Sequence, residues 1–550
     1  MPATIGRYLV AQLERLGIGH VFGVPGDFVL RFMHNLARGP LTLVTTCDEQ
    51  GAGFAADAYA RLRGAGAVCV TYGVGGLKIA NPVAEAYAER SPVVVISGAP
   101  GVGERGHRRL IHHTVRDFET QHHVFRELTC ASAVLDNPDT ALDEVDRVLA
   151  ELARQKRPVY LELPRDMVEV KAGRAHARAV VPPASDPETL EIALAESATR
   201  IREARQPVIV AGEEVHRFGM QDGIVALARA TGIPVATTIL GKSTVSEDDP
   251  LFLGVYQGRV GRDEVRAYVE GSDCIVLLGV MMTDINLGLY TARLERARCV
   301  QAVSGRIAVG HHVYEEVLFE DFLRGLCAAD LGPARQMPVP LRPPVDTAPR
   351  GAEPITIARL CEMLEAFVLP GVILIADTGD AMFGAANVRV HGSAGFLSPA
   401  YYASLGFGMP AAIGAACAEP GRRPIVLIGD GAFQMTGMEI STAARLGLDP
   451  IVVVLNNGGY TTERYILDGP YNNILPWEFW RIPDLLGSGV GHLVRTELEF
   501  ADAMCRATAE PGTLHILDVR LDRMDASPTL RRIAAGLARH QQGRSPSARA

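Results

Sequence analysis

Short runs rich in valine and isoleucine alternate along the chain with longer stretches rich in alanine and leucine. Each run is apolar at nearly every position, which is typical of a strand that is covered on both faces of a parallel sheet. The pattern therefore predicts repeated βαβ units. The clearest runs are residues 67–72, 93–97, 208–211, 274–278, 372–376, 425–428 and 451–455.

Two proline-rich stretches interrupt this alternation. Residues 172–187 and 332–354 lack hydrophobic periodicity and are predicted to be linkers. A chain of 550 residues is too long for one ordinary core, so about three domains are expected. We predict an α/β protein with three doubly wound parallel-sheet domains. Their expected boundaries are 1–172, 187–335 and 354–530, followed by a flexible tail at 531–550.

The first and third blocks share a local pattern. In both, an apolar strand leads to a Gly-x-Gly turn, a helix and a proline that opens the next strand. Gly73 and Gly75 form the turn in the first block, and Gly429 and Gly431 form it in the third. The pattern indicates two similar domains that pack as a pair, although any two βαβ units share these features.

Composition narrows the class of protein. The formal net charge of -9 argues against nucleic acid or an anionic membrane as the partner. The nine cysteines lie far apart without a C-x-x-C pair, so neither a zinc site nor a disulfide framework is indicated, and a reducing cytoplasm is expected. The N-terminus resembles an amphipathic helix and not a signal peptide. No apolar run approaches the roughly 18 residues that span a bilayer.

Polar residues follow two of the apolar runs directly. Asp430 ends one run, and Asn456 and Asn457 end the next. Ligands of open parallel sheets bind beyond the carboxyl ends of the strands. A carboxylate, an amide oxygen and a backbone carbonyl of the following Gly-Gly-Tyr would suit Mg²⁺. Gly431 would let a phosphate approach a helix N-terminus. A magnesium-bridged diphosphate is therefore predicted, with a tight turn capped by Asp and Asn as the alternative.

The spacing of these residues resembles a known signature. Gly-Asp-Gly, 24 residues and then Asn-Asn is similar to the motif of thiamine diphosphate enzymes. The resemblance extends over about residues 1–530 and is greatest to bacterial 2-oxo acid decarboxylases that act on indolepyruvate, phenylpyruvate or pyruvate. It implies that Asp430, Asn457 and the Gly459 carbonyl hold Mg²⁺. It places further cofactor contacts at Gly429, Gly431, Ala432 and Tyr460.

The resemblance also assigns a role to Glu49, which begins a Gly/Ala-rich helix. A lone glutamate there is usually a cap or a first-turn acid that stabilises the helix dipole. In the family this glutamate bonds N1' of the cofactor's aminopyrimidine and promotes formation of the reactive ylide. Leu405 would prop the folded cofactor, and the Ala403 carbonyl would accept from its 4'-amino group. Thr378 would lie near the diphosphate, whereas Asp380 is expected to point away from it.

Four further residues indicate which reaction follows. Asp27, the adjacent His112 and His113, and Glu463 match the family's decarboxylase set, which carboligases of the acetolactate synthase type generally lack. Individually, a turn aspartate usually caps and a histidine pair usually packs or lies on the surface. The resemblance implies proton transfer and product release by Asp27 and His113, orientation by His112, and a position for Glu463 facing the departing carboxylate. The chain would then be a carbon–carbon lyase that acts through the ylide and an enamine.

The expected substrate is a small 2-oxo acid, with indolepyruvate or phenylpyruvate preferred. Family positions around the substrate are occupied here by Asp284, Met382, Phe383, Ile466 and Leu467, and further along the chain by Trp477. Flexible methionine suits a large flat group, although a branched aliphatic chain would fill the same pocket. The alternatives are a branched-chain 2-oxo acid decarboxylase, a carboligase that forms 2-hydroxyketones, and an inactive regulatory relative.

Two other features bear on cofactors and assembly. The stretch "LGKST" at 240–244 resembles the end of a P-loop, but the required first glycine would fall on Ala236. The central block lacks a dinucleotide-binding fingerprint. In the family, the first block of one subunit faces the third block of another. The resemblance therefore implies a homo-oligomer, a dimer or tetramer, with active sites at the dimer interface.

Overall fold

The structure, a computed structural model, describes residues 4–105, 110–172, 184–340 and 342–541. The chain divides into two compact units. Unit 1 comprises Met1–Pro183 together with Met409–Arg422 and Thr436–Leu448. Unit 2 comprises Ala184–Gly408, Arg423–Met435 and Asp449–Ala550.

The first sheet lies in unit 1 and is parallel throughout its described strands. Its strands are β1 (His20–Gly23), β2 (Thr42–Thr45), β3 (Gly66–Val70), β4 (Val93–Ala99), β5 (Ala131–Val134) and β6 (Val159–Pro164). They run side by side in the order β2-β1-β3-β4-β6-β5. The helices of this region are α1 (Ile5–Arg15), α2 (Leu30–Ala37), α3 (Glu49–Arg63), α4 (Val74–Lys78), α5 (Ala80–Ala88), α6 (Val102–Arg105), α7 (Thr120–Leu128) and α8 (Ala141–Gln155).

The second sheet lies in unit 2 and is mixed. Its strands are β7 (Pro207–Ala211), β8 (Val235–Thr237), β9 (Phe252–Val255), β10 (Cys274–Leu278), β11 (Cys299–Val303), β12 (Arg306–Val309) and β13 (His312–Glu315). The order is β13-β12-β11-β10-β7-β8-β9. Strand β12 runs antiparallel to both β11 and β13, because the two-residue connections 304–305 and 310–311 form two successive hairpins. The helices are α9 (Pro187–Glu203), α10 (Glu213–Arg217), α11 (Gln221–Thr231), α12 (Asp263–Gly271) and α13 (Phe319–Ala328).

The third sheet repeats the strand order of the first. Its strands are β14 (Val372–Ala376), β15 (Gly395–Leu397), β16 (Arg423–Gly429), β17 (Ile451–Asn456), β18 (Val490–Val494) and β19 (His515–Arg520). The strands lie in the order β15-β14-β16-β17-β19-β18. If the six strands of each sheet are numbered along the chain, the first and third sheets both have the order 2-1-3-4-6-5. The helices are α14 (Ile357–Leu364), α15 (Asp380–Ala385), α16 (Gly408–Ala418), α17 (Asp430–Thr436), α18 (Ile440–Arg445), α19 (Thr461–Ile466), α20 (Ile482–Leu486), α21 (Glu497–Ala509) and α22 (Pro528–Gln541).

The sequence pattern is confirmed at each apolar run named above, since every one lies on a strand with buried residues. Strands β3 and β4 are buried at every position, as expected for sheets covered on both faces. The similarity between the first and third blocks is also confirmed by their shared strand order. The predicted fold class of three α/β domains is therefore correct.

One expectation about the C-terminus was wrong. Residues 531–541 do not form a flexible tail but continue helix α22. Leu530 and Ile533 on this helix are buried, and Leu537 packs against the same core. Arg532 donates to the carbonyl of Gly261 at 2.7 Å. Apolar residues at helical spacing thus pack this stretch against the core. Residues 542–550 lie outside the described chain.

The remaining global expectations concern membranes and disulfides. In the described part of the chain, every helix is too short or too polar to cross a membrane. All nine cysteines are free thiols. Most of the predicted linker at 172–187, namely residues 173–183, lies outside the described residues.

Candidate active site

A cavity of about 340 Å³ in unit 2 lies beyond the carboxyl ends of β14, β16 and β17. This is the position at which an open parallel sheet binds its ligands. Most of the predicted cofactor residues line it. They are Thr378, Ala403, Leu405, Gly429, Asp430, Gly431, Ala432, Asn457, Gly459 and Tyr460, joined by Met382, Phe383 and Glu463.

Asp430 begins α17 and is almost completely buried. One of its carboxylate oxygens accepts from the backbone N–H of Gly431 at 2.8 Å. The other accepts from Gly458 at 2.7 Å and Gly459 at 3.1 Å. Burial nevertheless raises the pKa of Asp430 to about 6, since backbone donors offset only part of the desolvation. A nearby divalent cation would favour the charged form.

The two asparagines that follow β17 have different roles. Asn456 donates to the Asp518 carboxylate at 2.8 Å and to the Trp477 carbonyl at 3.0 Å, so it supports the fold. Asn457 donates from Nδ2 to the Thr461 hydroxyl at 2.6 Å. Its Oδ1 is buried without a hydrogen-bond partner. Because a buried acceptor is rarely left unpaired, this oxygen is well suited to a metal ion.

Arg464 shapes the loop between these groups and was not anticipated from the sequence. It is buried, and its guanidinium donates to the carbonyls of Asn457 at 3.2 Å and Gly458 at 2.7 Å. Gly459 has a φ of 145°, and an added Cβ would lie 1.9 Å from the Asn472 carbonyl oxygen. Glycine and a buried arginine therefore fix the backbone beside Asp430.

A second buried aspartate organises the opposite wall. Asp377 follows β14 directly and accepts from the N–H of Gly406 at 3.1 Å and of Gly408 at 2.6 Å. Burial raises the pKa of Asp377 to about 6. These bonds hold the loop that carries Leu405, and Ala403 on the same loop has a left-handed φ of 59°. Backbone strain of this kind often marks a functional site.

Asp380 lies at the start of α15, and one carboxylate oxygen accepts from the N–H of Ser527 at 2.7 Å. Burial raises the pKa of Asp380 to about 6. Its second oxygen is buried without a hydrogen-bond partner. Nearby, the Thr378 hydroxyl donates to the Ser404 carbonyl at 3.2 Å.

Four predicted substrate residues lie away from the cavity lining. Ile466 and Leu467 are 44% and 69% exposed. Asp284 accepts from the N–H of Ile285, and it is Ile285 that lines the cavity. The Trp477 side chain packs obliquely on Phe479, with ring centroids 5.8 Å apart. The assignment of these four residues to substrate stays a prediction.

Glu49 lies in unit 1 as the first residue of α3. The cap of that helix is Asp48, whose carboxylate accepts from the N–H of Gln50 at 2.7 Å. The Glu49 carboxylate instead lies 3.5 Å from the Lys78 ammonium, which also pairs with Asp48. Asp48 is therefore the cap, whereas Glu49 is an acid in the first turn of α3 that pairs with Lys78, and its assignment to the cofactor stays a prediction.

Glu439 anchors the same helix and was also missed from the sequence. It is buried and accepts from the N–H of Cys47 at 3.2 Å, the N–H of Asp48 at 3.1 Å and the Thr442 hydroxyl at 2.8 Å. Burial raises the pKa of Glu439. An added Cβ on Gly51 would lie 2.1 Å from its carboxylate. No local pattern marks this contact, which joins positions almost 400 residues apart.

Asp27, His112 and His113 come together in unit 1. Asp27 Oδ2 lies 2.9 Å from His112 Nε2. The rings of His112 and His113 meet edge to face, with centroids 4.7 Å apart. His113 has a φ of 69°, and an added Cβ on Gly73 would lie 2.2 Å from the His113 carbonyl oxygen. The Gly-x-Gly turn of the first block thus packs against the backbone of His113, and a side chain at Gly73 would prevent this contact.

The P-loop alternative has no support in the structure. Lys242 of "LGKST" is fully buried and paired with Glu247. Its ammonium lies 5.7 Å from the centroid of the Phe396 ring. A lysine held in this way is part of the core of unit 2 and is not presented to a phosphate.

Comparison with protein families accounts for this arrangement. Three family models match the chain, and all three are domains of thiamine pyrophosphate enzymes. The N-terminal TPP binding domain matches residues 3–126, the central domain matches 194–321 and the C-terminal TPP binding domain matches 377–516. The chain is also 36% identical over 548 residues to an alpha-keto-acid decarboxylase of Mycobacterium tuberculosis, covering 97% of each chain. This chain belongs to the thiamine diphosphate-dependent enzyme family.

Two other members of the family are similarly close. An indole-3-pyruvate decarboxylase of Azospirillum brasilense is 36% identical over 544 residues, covering 96% of this chain and 98% of that protein. An alpha-keto-acid decarboxylase of Mycobacterium avium is 37% identical over 536 residues, covering 95% and 94%. The resemblance inferred from the thiamine diphosphate signature is thereby confirmed.

The cavity residues fit the family's cofactor. Three acids line the cavity, namely Asp380, Asp430 and Glu463, and none of its described lining residues is Lys, Arg or His. A diphosphate would be repelled by this set unless a divalent cation accompanied it. The unpartnered Oδ1 of Asn457 and the Asp430 carboxylate are oxygen ligands of the type that Mg²⁺ prefers.

Proposed function

We propose that the protein decarboxylates a 2-oxo acid to the aldehyde and CO₂ with thiamine diphosphate and Mg²⁺. The observation that carries the choice of reaction is the cluster of Asp27, His112 and His113. His112 Nε2 lies 2.9 Å from Asp27 Oδ2, and one polar atom from each of the three side chains lies within 4.8 Å of the others. It matches the proton-handling set that the sequence resemblance associates with decarboxylases. The names of the similar proteins, alpha-keto-acid and indole-3-pyruvate decarboxylases, support the same reaction.

Asp430, the Oδ1 of Asn457 and the Gly459 carbonyl would hold the metal. Thiamine diphosphate, when bound, supplies the nucleophilic carbon and the electron sink for decarboxylation. Glu49 would hold a proton at N1' of its pyrimidine ring. The loop fixed by Asp377 would present Leu405 to the cofactor and the Ala403 carbonyl to its amino group, so these residues orient the reacting ring.

The remaining polar groups would handle the substrate carboxylate and the proton. Glu463 lines the cavity and would face the leaving carboxylate, whose loss is easier where solvation is weak. Asp27 and His113 would deliver the proton that completes the aldehyde. His112, which is 2.9 Å from Asp27, would orient that pair.

We propose an aromatic 2-oxo acid as the substrate. Met382 and Phe383 are buried in the cavity wall, and Ile285 adds apolar surface. An adaptable methionine beside an aromatic ring favours indole or phenyl over a methyl group. Indolepyruvate and phenylpyruvate should then exceed pyruvate in kcat/KM by about 10- to 200-fold, the range of one apolar pocket contact.

An alcohol dehydrogenase-coupled assay across pyruvate, 2-oxoisocaproate, phenylpyruvate and indolepyruvate tests this preference. The highest kcat/KM with an aromatic acid supports the proposal. The highest value with 2-oxoisocaproate would instead identify a branched-chain enzyme. A best rate with pyruvate would show that the aromatic assignment is wrong.

We further propose a homo-oligomer, either a dimer or a tetramer. The candidate residues Glu49, Asp27, His112 and His113 belong to unit 1, and the cofactor cavity belongs to unit 2. The family resemblance implies that such residues meet across a subunit interface. Assembly would therefore be required for activity.

A further inference from the structure

Asp27, His112 and His113 form a cluster of metal-ligand type. One carboxylate oxygen and one nitrogen from each imidazole lie within 4.8 Å of one another. Among the described residues, no other group of three His, Cys, Asp or Glu side chains converges in this way. One ion could therefore contact all three side chains if they moved together and the Arg165 guanidinium, 3.9 Å from Asp27 Oδ2, moved away.

The surroundings hold these ligands in place. The Phe28 ring stacks on His112 with centroids 4.9 Å apart and meets His113 edge-on at 5.8 Å. The left-handed backbone of His113 is packed against Gly73. His113 Nδ1 is buried without a hydrogen-bond partner, so its ring retains a nitrogen that can bind a metal. A preformed site loses less freedom on binding than flexible surface histidines would.

The ligand types select a different metal from that of the cofactor cavity. Two imidazoles and one carboxylate suit Zn²⁺ and similar divalent transition metals. Asp430, Asn457 and the Gly459 carbonyl offer only oxygen and suit Mg²⁺. We propose that Asp27, His112 and His113 form a second metal site, which binds Zn²⁺ or a similar transition metal and leaves positions open to solvent.

Occupation of this site would inhibit the enzyme. A metal ion would take up the lone pairs with which the histidines and Asp27 exchange protons. This consequence rests on the proposed function, whereas metal binding itself does not. Mg²⁺ at the cofactor site would remain bound, because Zn²⁺ at the cluster uses none of its ligands.

Titration with Co²⁺, a spectroscopic substitute for Zn²⁺, tests the site directly. The full-length protein is first loaded with thiamine diphosphate and excess Mg²⁺. We expect one further equivalent of Co²⁺ per chain, with the intense visible absorption of a low-coordinate nitrogen-containing site, and displacement by Zn²⁺. His113→Asn keeps a residue that tolerates a left-handed φ, and it should weaken Co²⁺ binding by at least about tenfold.

The neighbouring pair His122 and His123 supplies a matched control. His122 lies 3.1 Å from the Ser132 hydroxyl, and His123 lies 3.9 Å from a carboxylate oxygen of Glu119, but among the described residues these side chains do not converge into a group of three. His123→Asn should therefore leave Co²⁺ binding unchanged, and circular dichroism checks the fold of both variants. Absence of the absorption band, or equal weakening in both variants, would overturn the proposal.

A parallel activity assay separates this proposal from the proposed function. Inhibition by one equivalent of Zn²⁺ per chain, reversed by chelation and re-addition of Mg²⁺, supports both. Stoichiometric binding without inhibition would leave the metal site in place and contradict the proton-transfer role of the cluster. If His113→Asn retains full Co²⁺ affinity but loses decarboxylation, the result supports the catalytic assignment of His113 and contradicts the proposed metal site.

Discussion

Glu49 and Asp48 are adjacent carboxylates with different environments. Asp48 caps α3 through the N–H of Gln50, whereas the nearest ion-pair partner of Glu49 is Lys78, 3.5 Å away. Both acids begin the helix, so position in the sequence does not separate capping from catalysis. The hydrogen bonds identify Asp48 as the cap, and the role of Glu49 at a cofactor ring stays a prediction.

Glu49→Gln should slow hydrogen–deuterium exchange at C2 of bound thiamine diphosphate by about 100-fold or more, because the amide cannot exchange the proton that a carboxylate can. The melting temperature should change little, since Asp48 retains the cap. Exchange is followed by NMR after acid quench. Asp48→Asn, which preserves a capping side chain, is the control. Exchange at the original rate in Glu49→Gln would show that Glu49 does not activate the cofactor and is only a charged residue at the start of the helix.

Arg464 is a positioning residue for the proposed metal loop. Its buried guanidinium holds two carbonyls beside Asp430, and Arg464 is not among the described residues that line the cavity. Arg464→Met should weaken Mg²⁺ binding by about 10- to 100-fold, the range seen when groups behind metal ligands are removed. Calorimetry in the presence of thiamine diphosphate measures this.

Asp430→Ala removes a direct ligand and should abolish metal-dependent cofactor binding in the same experiment. Arg481→Met is the matched control, because Arg481 is exposed and pairs with Glu478. If Arg464→Met and Arg481→Met bind Mg²⁺ equally well, the loop does not depend on Arg464. If Asp430→Ala binds the cofactor with undiminished metal-dependent affinity, the assignment of Asp430 as a metal ligand is wrong.

At the scale of elements, Glu439 connects the segment before α18 to the N-terminus of α3. Glu439→Gln replaces one accepting oxygen with a donor that faces backbone N–H groups. We expect a loss of about 1–3 kcal/mol in the free energy of unfolding, the cost of leaving a buried donor unpaired. Urea denaturation measures it, with the exposed Glu478→Gln as control. Equal stability of the two variants would show that Glu439 does not anchor α3.

The sequence predicted the elements better than it predicted their contacts. The apolar runs mark strands because full burial demands apolar residues at every position, and Asp430 and Asn457 were found because they follow such runs. Asp377 follows β14 in the same way, so the same signal could have identified it. Glu439 could not be found, because its partners are distant in sequence and only folding brings them together.

A different physical cause applies to the C-terminus. Its polar end predicts a tail at 531–550, yet residues 531–541 continue α22, which packs on the core through three apolar residues at helical spacing. Ile466 and Leu467 are exposed in this chain, so their assignment to the substrate stays a prediction. Short apolar pairs do not reveal which surface they face, so substrate contacts are the least predictable part of the site.

At the scale of the whole molecule, two sheets share one strand order, and the candidate catalytic residues belong to two compact units. We expect the active species to be a homodimer or a tetramer. Analytical ultracentrifugation under assay conditions measures its mass. A monomer that retains full specific activity on dilution would refute the proposed assembly.

The central claim is decarboxylation dependent on thiamine diphosphate, and analysis of products from phenylpyruvate tests it most directly. With cofactor and Mg²⁺, the protein should release phenylacetaldehyde and CO₂ in equal amounts, and product should vanish when either cofactor or Mg²⁺ is withheld. Added aldehyde should leave this ratio unchanged. Formation of a 2-hydroxyketone as the main product, or no CO₂ from any of the four 2-oxo acids, would contradict the account.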